Sequence, residues 1–170
     1  MQHRVGLLAA VFALAPAAQA ANQNSGVNPD QIFIGAGISS NSVSGSDDGT
    51  GFQFFGGYHF GKIANNLKLD LEIGYMDTGN MDVSVDVPFF GKVTTNARAK
   101  GLWSTGVLLL ELNPQIDLIG RAGFDFGDDD GAMVGIGVGY NLNKQTQLRL
   151  EFVERDNVDS IQFNARFNLK

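Results

Sequence analysis

The chain has 170 residues, a formal charge of −6 and no cysteine. That length suits one domain, and the absence of thiols excludes both a disulfide framework and cysteine chemistry. An acidic chain without a basic run lacks the electrostatic footprint of a nucleic-acid binder, so no nucleic-acid partner is expected.

Residues 1–20 read as a cleavable signal peptide. Arg4 supplies the positive start, an apolar stretch runs from Val5 to Ala15, Pro16 interrupts it, and Ala18-Gln19-Ala20 forms a small-x-small cleavage site. The apolar stretch falls short of the ~20 residues a spanning helix needs. The expected mature chain is one domain over residues 21–170, beginning at Ala21.

Beyond Asp30 the pattern is period-two alternation, which marks strands with two different faces. Residues 31–40 place Ile32, Ile34, Ala36 and Ile38 on one face. Residues 50–60 do the same with Phe52, Phe54, Tyr58 and Phe60. Residues 67–76 set Leu67, Leu69, Leu71, Ile73 and Tyr75 against Lys68, Asp70, Glu72 and Gly74. Residues 97–112 carry Leu102, Leu108, Leu110 and Leu112 on one face, with Val107 and Leu109 also apolar on the other.

Four further segments complete the series. Residues 116–126 oppose Ile116, Leu118, Ala122, Phe124 and Phe126 to Asp117, Arg121, Gly123 and Asp125. Residues 132–140 oppose Val134, Ile136, Val138 and Tyr140 to three glycines. Residues 146–155 oppose Leu148, Leu150 and Phe152 to Gln147, Arg149, Glu151 and Arg155. Residues 160–169 oppose Ile161, Phe163, Ala165, Phe167 and Leu169 to Gln162, Asn164, Arg166 and Asn168. Connections at 61–66, 113–115 and 141–145 are compact and rich in turn residues. Those at 41–49 and 77–96 are longer, and those at 127–131 and 156–159 are strongly acidic. Alternation within 81–87 and 92–95 suggests an extra hairpin in the 77–96 connection.

Eight such strands predict an all-β fold, an eight-stranded antiparallel up-and-down β-barrel. A soluble lipocalin-like carrier would show the same alternation turned inside out. Three features favour a transmembrane barrel. Strands of about ten residues, tilted near 40°, cover an apolar band of roughly 25 Å. Aromatics recur near the ends of the apolar rows, at Phe52, Phe60, Tyr75, Phe124, Phe126, Tyr140, Phe163 and Phe167, as two interfacial girdles would require. The opposite face combines glycine with paired opposite charges, which suits a narrow polar lumen. Strands cross a bilayer only as a closed barrel, because an open edge leaves backbone groups unpaired in hydrocarbon.

Three stretches carry a family likeness: Gly51-Phe52-Gln53-Phe54-Phe55-Gly56-Gly57-Tyr58, Leu69-Asp70-Leu71-Glu72-Ile73-Gly74-Tyr75 and Gly135-Ile136-Gly137-Val138-Gly139-Tyr140. With the alternating last strand ending Phe167-Asn168-Leu169, the chain resembles the small outer-membrane β-barrel proteins of the OmpA/OmpX type. The family commonly ends on an aromatic residue read by the assembly machinery, whereas Lys170 follows Leu169 here. The resemblance implies a bacterial outer-membrane location. It also implies partners in outer-membrane lipid and lipopolysaccharide, and the barrel-assembly machinery during insertion.

Several motifs have plain structural readings. Gly135, Gly137 and Gly139 lack the spacing and the following helix of a nucleotide loop, and suit a strand whose inner face must be small. His59 is the one histidine after the leader. Lipid A deacylases of similar architecture pair a His with a Ser, but Phe60 and Gly61 follow His59, so an inward structural histidine is expected. Asp128-Asp129-Asp130 and Asp47-Asp48 lack EF-hand spacing and read as solvated acidic loops, so no metal site is expected. Glu72, Arg121, Arg149, Glu151 and Arg166 fall on the polar faces of four strands, with Lys68, Asp70 and Asp117 nearby. They read as a structural cluster of ion pairs filling a small barrel.

The sequence thus points to a non-enzymatic outer-membrane protein, with no catalytic residues and no cofactor. Its role would be structural, or surface interaction through acidic extracellular loops with an unidentified ligand. The alternatives are a lipid-modifying outer-membrane enzyme and a soluble periplasmic carrier.

Overall fold

The computed structural model describes residues 28–43, 48–87, 89 and 91–169. The signal-peptide assignment at 1–20, and Asp47 within the first acidic connection, lie outside the described residues. Among the described residues ten strands form: β1 (Ile32–Ser42), β2 (Gly49–Ala64), β3 (Leu67–Asp77), β4 (Met81–Val87), β5 (Gly91–Ala97), β6 (Lys100–Asn113), β7 (Ile116–Asp125), β8 (Gly131–Asn141), β9 (Thr146–Glu154) and β10 (Asp159–Asn168).

Eight of them close a barrel in the order β1-β10-β9-β8-β7-β6-β3-β2, with antiparallel neighbours throughout. The seam runs from Phe33↔Asn168 to Ser42↔Asp159, so the sheet has no free edge. The remaining pair, β4 and β5, forms the hairpin expected in the 77–96 connection.

Turn chemistry explains the tight end of the barrel. Asn113 Oδ1 accepts from the backbone N–H of Gln115 and of Ile116, both at 2.9 Å. Asn143 Oδ1 does the same for Gln145 and Thr146 at 2.8 Å. These are Asx turns, in which a short side chain replaces a backbone acceptor. The β2–β3 connection differs from the expected 61–66 turn. Strand β2 continues to Ala64 through register shifts at His59/Gly61 and Lys62/Ala64. Gly61, at φ 91°, supplies the left-handed residue that the irregularity needs.

The two faces separate as the alternation predicts. Ile34, Ile38, Phe54, Ile73, Ile136 and Leu150 point outward, with Ile136 69% exposed in the isolated chain. Such a continuous apolar surface on a closed barrel is the face that meets lipid. On β6 the outward row is Leu102 to Leu112, while Val107 and Leu109 are buried inside. Of the expected girdle aromatics, Phe163 sits midway along β10 rather than near an end.

The interior is less uniformly polar than the sequence suggests. Phe33, Phe55, Met76, Trp103, Met133 and Val153 form one buried apolar cluster inside the barrel. They share inward rows with glycines, and the glycines make room for them. A Cβ on Gly35 would lie 2.2 Å from the Phe55 ring, and one on Gly74 would lie 2.5 Å from Trp103.

Candidate functional site: the barrel interior

Strands β3, β7, β9 and β10 point Glu72, Arg121, Arg149, Glu151 and Arg166 into the lumen, where all five are buried. Glu72 holds two arginines at once. Its Oε2 accepts from Arg121 Nη2 at 2.5 Å and its Oε1 from Arg149 Nη1 at 2.6 Å. Glu151 lies 3.2 Å from Arg121 Nε as an ion pair outside hydrogen-bond alignment, and its Oε1 accepts from Asn164 Nδ2 at 3.0 Å. Two carboxylates and two guanidiniums therefore balance within one layer. Beside them Gln53 Nε2 donates to Gln162 Oε1 at 2.7 Å and to Asn164 Oδ1 at 2.6 Å.

The fifth residue, Arg166, stands apart from this quartet. It donates to Asp70 Oδ2 at 2.8 Å. Its guanidinium also sits 4.8 Å from the Phe33 ring centroid, as Arg121 sits 5.3 Å from that of Trp103. Cations over aromatic faces tie the charged layers to the apolar cluster between and around them. The remaining oxygen of Asp70 faces His59 Nδ1 at 2.7 Å, while His59 Nε2 faces Asn168 Oδ1 at 3.0 Å. Both ring nitrogens are thus occupied by structural partners. Among the described residues no nucleophile is hydrogen-bonded to His59, so the arrangement that activates a hydroxyl is missing there. Lys68, unlike its neighbours in the cluster, lies at the rim, 2.6 Å from Glu111.

Asp117 is also buried, but it meets amides rather than cations. Its Oδ2 accepts from Asn141 Nδ2 at 2.9 Å and from Gln147 Nε2 at 2.7 Å.

The loop end is closed by different chemistry. Arg155, buried, donates to Asp125 Oδ2 at 3.2 Å and to Ser160 Oγ at 2.9 Å. Ser160 in turn donates to Asn41 Oδ1 at 2.7 Å. Met81, Ala99 and Val158 pack together at the same end of the barrel. The base of the β4–β5 hairpin is fixed by Arg98, which grips Asp77 at 2.8 and 2.5 Å, and that carboxylate holds the Arg98 guanidinium more firmly protonated than usual.

The acidic 127–131 connection is only partly solvated. Asp128 and Asp130 are exposed. Asp129 is 3% exposed and accepts from the backbone N–H of Asn157 at 3.0 Å and from its Nδ2 at 2.7 Å. It is a strut between two loops. The sequence shows no sign of this, because the three aspartates are equivalent until the partner loop is in place. Among the described residues, no group of three His, Cys, Asp or Glu side chains is arranged to hold a metal ion.

Residues 6–168 match the model of the outer membrane protein beta-barrel domain family. No curated protein matches the chain. A de novo designed transmembrane β-barrel is similar in structure, with a TM-score of 0.55 and 15% identity over 82% of this chain and 96% of that one. Neisserial surface protein A (NspA) gives a TM-score of 0.50 at 13% identity, covering 85% and 100% of the two chains. The Yersinia pestis outer membrane protein Ail in a phospholipid bilayer nanodisc gives 0.50 at 15% identity, covering 81% and 98%. At these identities the likeness concerns the fold.

Proposed function

Because the chain belongs to the outer membrane protein beta-barrel domain family, we propose that it is a non-enzymatic, integral outer-membrane barrel with a structural or surface-interaction role. The observation that carries this reading is the pairing of a continuous apolar exterior with a lumen filled by ion pairs and aromatic side chains. Such a barrel holds its place in lipid, offers no open channel, and leaves its loops as the part that meets other molecules.

The acidic connections support surface interaction. Asp128, Asp130 and Asp156 are exposed at the loop end of the barrel, beside the β4–β5 hairpin. In this reading the loops face outside the cell and the short turns face the periplasm, as in other outer-membrane barrels. Residues 1–20 would direct export and be removed after Ala20, and the partners would be outer-membrane lipid, lipopolysaccharide and, during insertion, the assembly machinery.

The experiment is an epitope tag inserted at Phe89, at the exposed tip of the hairpin. Labelling on intact cells, with the protein in the outer-membrane fraction, is the expected result. Labelling only after permeabilisation reverses the topology, and recovery in the soluble periplasmic fraction favours the carrier.

A further inference from the structure

A cavity of about 590 Å³ opens at the turn end of the barrel, and Asp117, Asn141, Glu111, Lys144, Arg166 and His59 are among its walls. The acids that line it are not alike. Asp70 is matched by Arg166 and His59, and Glu111 by Lys62 and Lys68. Asp117 is 2% exposed, has no cation within ion-pair distance among the described residues, and leaves Oδ1 without any hydrogen-bond donor. A buried carboxylate with one bare oxygen is costly unless a partner arrives.

The surroundings say which kind of partner fits. Gln147 Nε2 donates to both Asp117 Oδ2 and Asn141 Oδ1, at 2.7 and 2.9 Å, which holds those two acceptor groups side by side. Asn141 Oδ1 accepts that one hydrogen bond and keeps its second lone pair. One charged acceptor beside one neutral acceptor is too poor a set for a divalent metal, which seeks several oxygens. It suits an ammonium group, with its three N–H donors and single charge. We propose that this cavity binds a small organic ammonium ion, with Asp117 as its counter-ion and Asn141 as its second acceptor. Lys144, exposed at the rim and without an ion-pair partner among the described residues, sets the local potential that the ligand must cross.

Asp117→Asn is the sharp variant. The site beneath it supplies two N–H donors, so the new carbonyl must take the Oδ2 position and the new NH2 group must face the cavity. The local fold keeps its hydrogen bonds while the cavity loses its acceptor. The test is a titration of the folded barrel in non-ionic micelles with cadaverine, read by NMR at the side-chain amides of Asn141 and Gln147. Pentamethonium, the bis-trimethylammonium analogue of cadaverine, which keeps both charges on the same spacer but has no N–H, is the control. Saturable shifts with cadaverine only, weakened about tenfold or more in Asp117→Asn, are expected, since one charge-assisted hydrogen bond is lost. Lys144→Glu, at a rim side chain that makes none of these hydrogen bonds, should tighten cadaverine binding whether or not the Asn variant folds. Three results overturn the proposal: no saturation in the wild type, equal binding in Asp117→Asn, or binding that emerges only in Lys144→Glu, which would mean that the introduced carboxylate, and not Asp117, holds the ligand.

Discussion

Arg121 and Glu72 meet inside the barrel, Nη2 to Oε2 at 2.5 Å, although β6 separates their strands in the wall. Both side chains are essentially shut off from solvent. Removing one member of such a pair leaves a charge buried without its partner. Arg121→Ala should therefore lower unfolding stability in detergent by about 3–5 kcal/mol. The double variant Arg121→Met, Glu151→Met removes one cation and one anion and leaves Glu72 with Arg149. It should cost less than Arg121→Ala alone. Urea titrations of the three proteins check both the sign and the order.

Asp129 and Asp130 are adjacent in sequence and should behave differently. Asp129→Ala strips the backbone N–H of Asn157 of its acceptor and leaves the side-chain amide only its longer bond to Asp156 Oδ2 at 3.4 Å, which should cost about 1–3 kcal/mol. It should also speed amide exchange at Asn157. Asp130→Ala, on an exposed side chain, should stay within about 0.5 kcal/mol of the wild type. Equal effects would mean that the loop-to-loop strut carries no weight.

Two glycine substitutions compare the faces of the wall. At Gly74 a Cβ would come 2.5 Å from Trp103 and 2.7 Å from the Phe54 carbonyl, so Gly74→Ala should cost about 1–3 kcal/mol by overpacking. At Gly120 a Cβ meets nothing within 4 Å, and Gly120→Ala should be close to neutral. Thermal melts in the same detergent measure the difference.

How much of this was legible in the sequence follows from what alternation encodes. Period two reports which residues share a face, so the outward rows through Ile34, Ile73 and Ile136 and the inward charges Glu72 and Arg149 can be read directly. It does not report what stands across a lumen. Phe55 and Trp103 lie on rows of glycine and polar residues, and their meeting at 6.0 Å depends on how the sheet closes. The same holds for Asp117. Nothing local distinguishes it from Asp70, and only the closed barrel shows that one faces Arg166 and the other only amides. The extension of β2 to Ala64 was hidden because Gly61 and Lys62 read as turn residues, while the irregular register keeps them paired to β3.

A filled lumen has an electrical consequence. Purified protein in planar bilayers should give no stable, large conductance, because the quartet around Glu72 and the cluster around Trp103 occupy the interior. Arg121→Ala should raise leakage above that baseline. Sustained porin-like steps from the wild type would contradict the filled interior.

The outward row meets lipid, and the chain's lack of cysteine makes that contact directly testable. Single cysteines at Leu118, Ile136, Leu150 and Ile73, each labelled with an environment-sensitive fluorophore, would be reconstituted in vesicles whose lipids carry a quencher in the acyl chains. All four positions should be quenched by the lipid-borne group and shielded from a water-soluble quencher. A label at exposed Asp130 should show the reverse. Access of the water-soluble quencher to all four outward positions, with no effect of the lipid-borne one, would mean that the apolar face does not lie in a membrane.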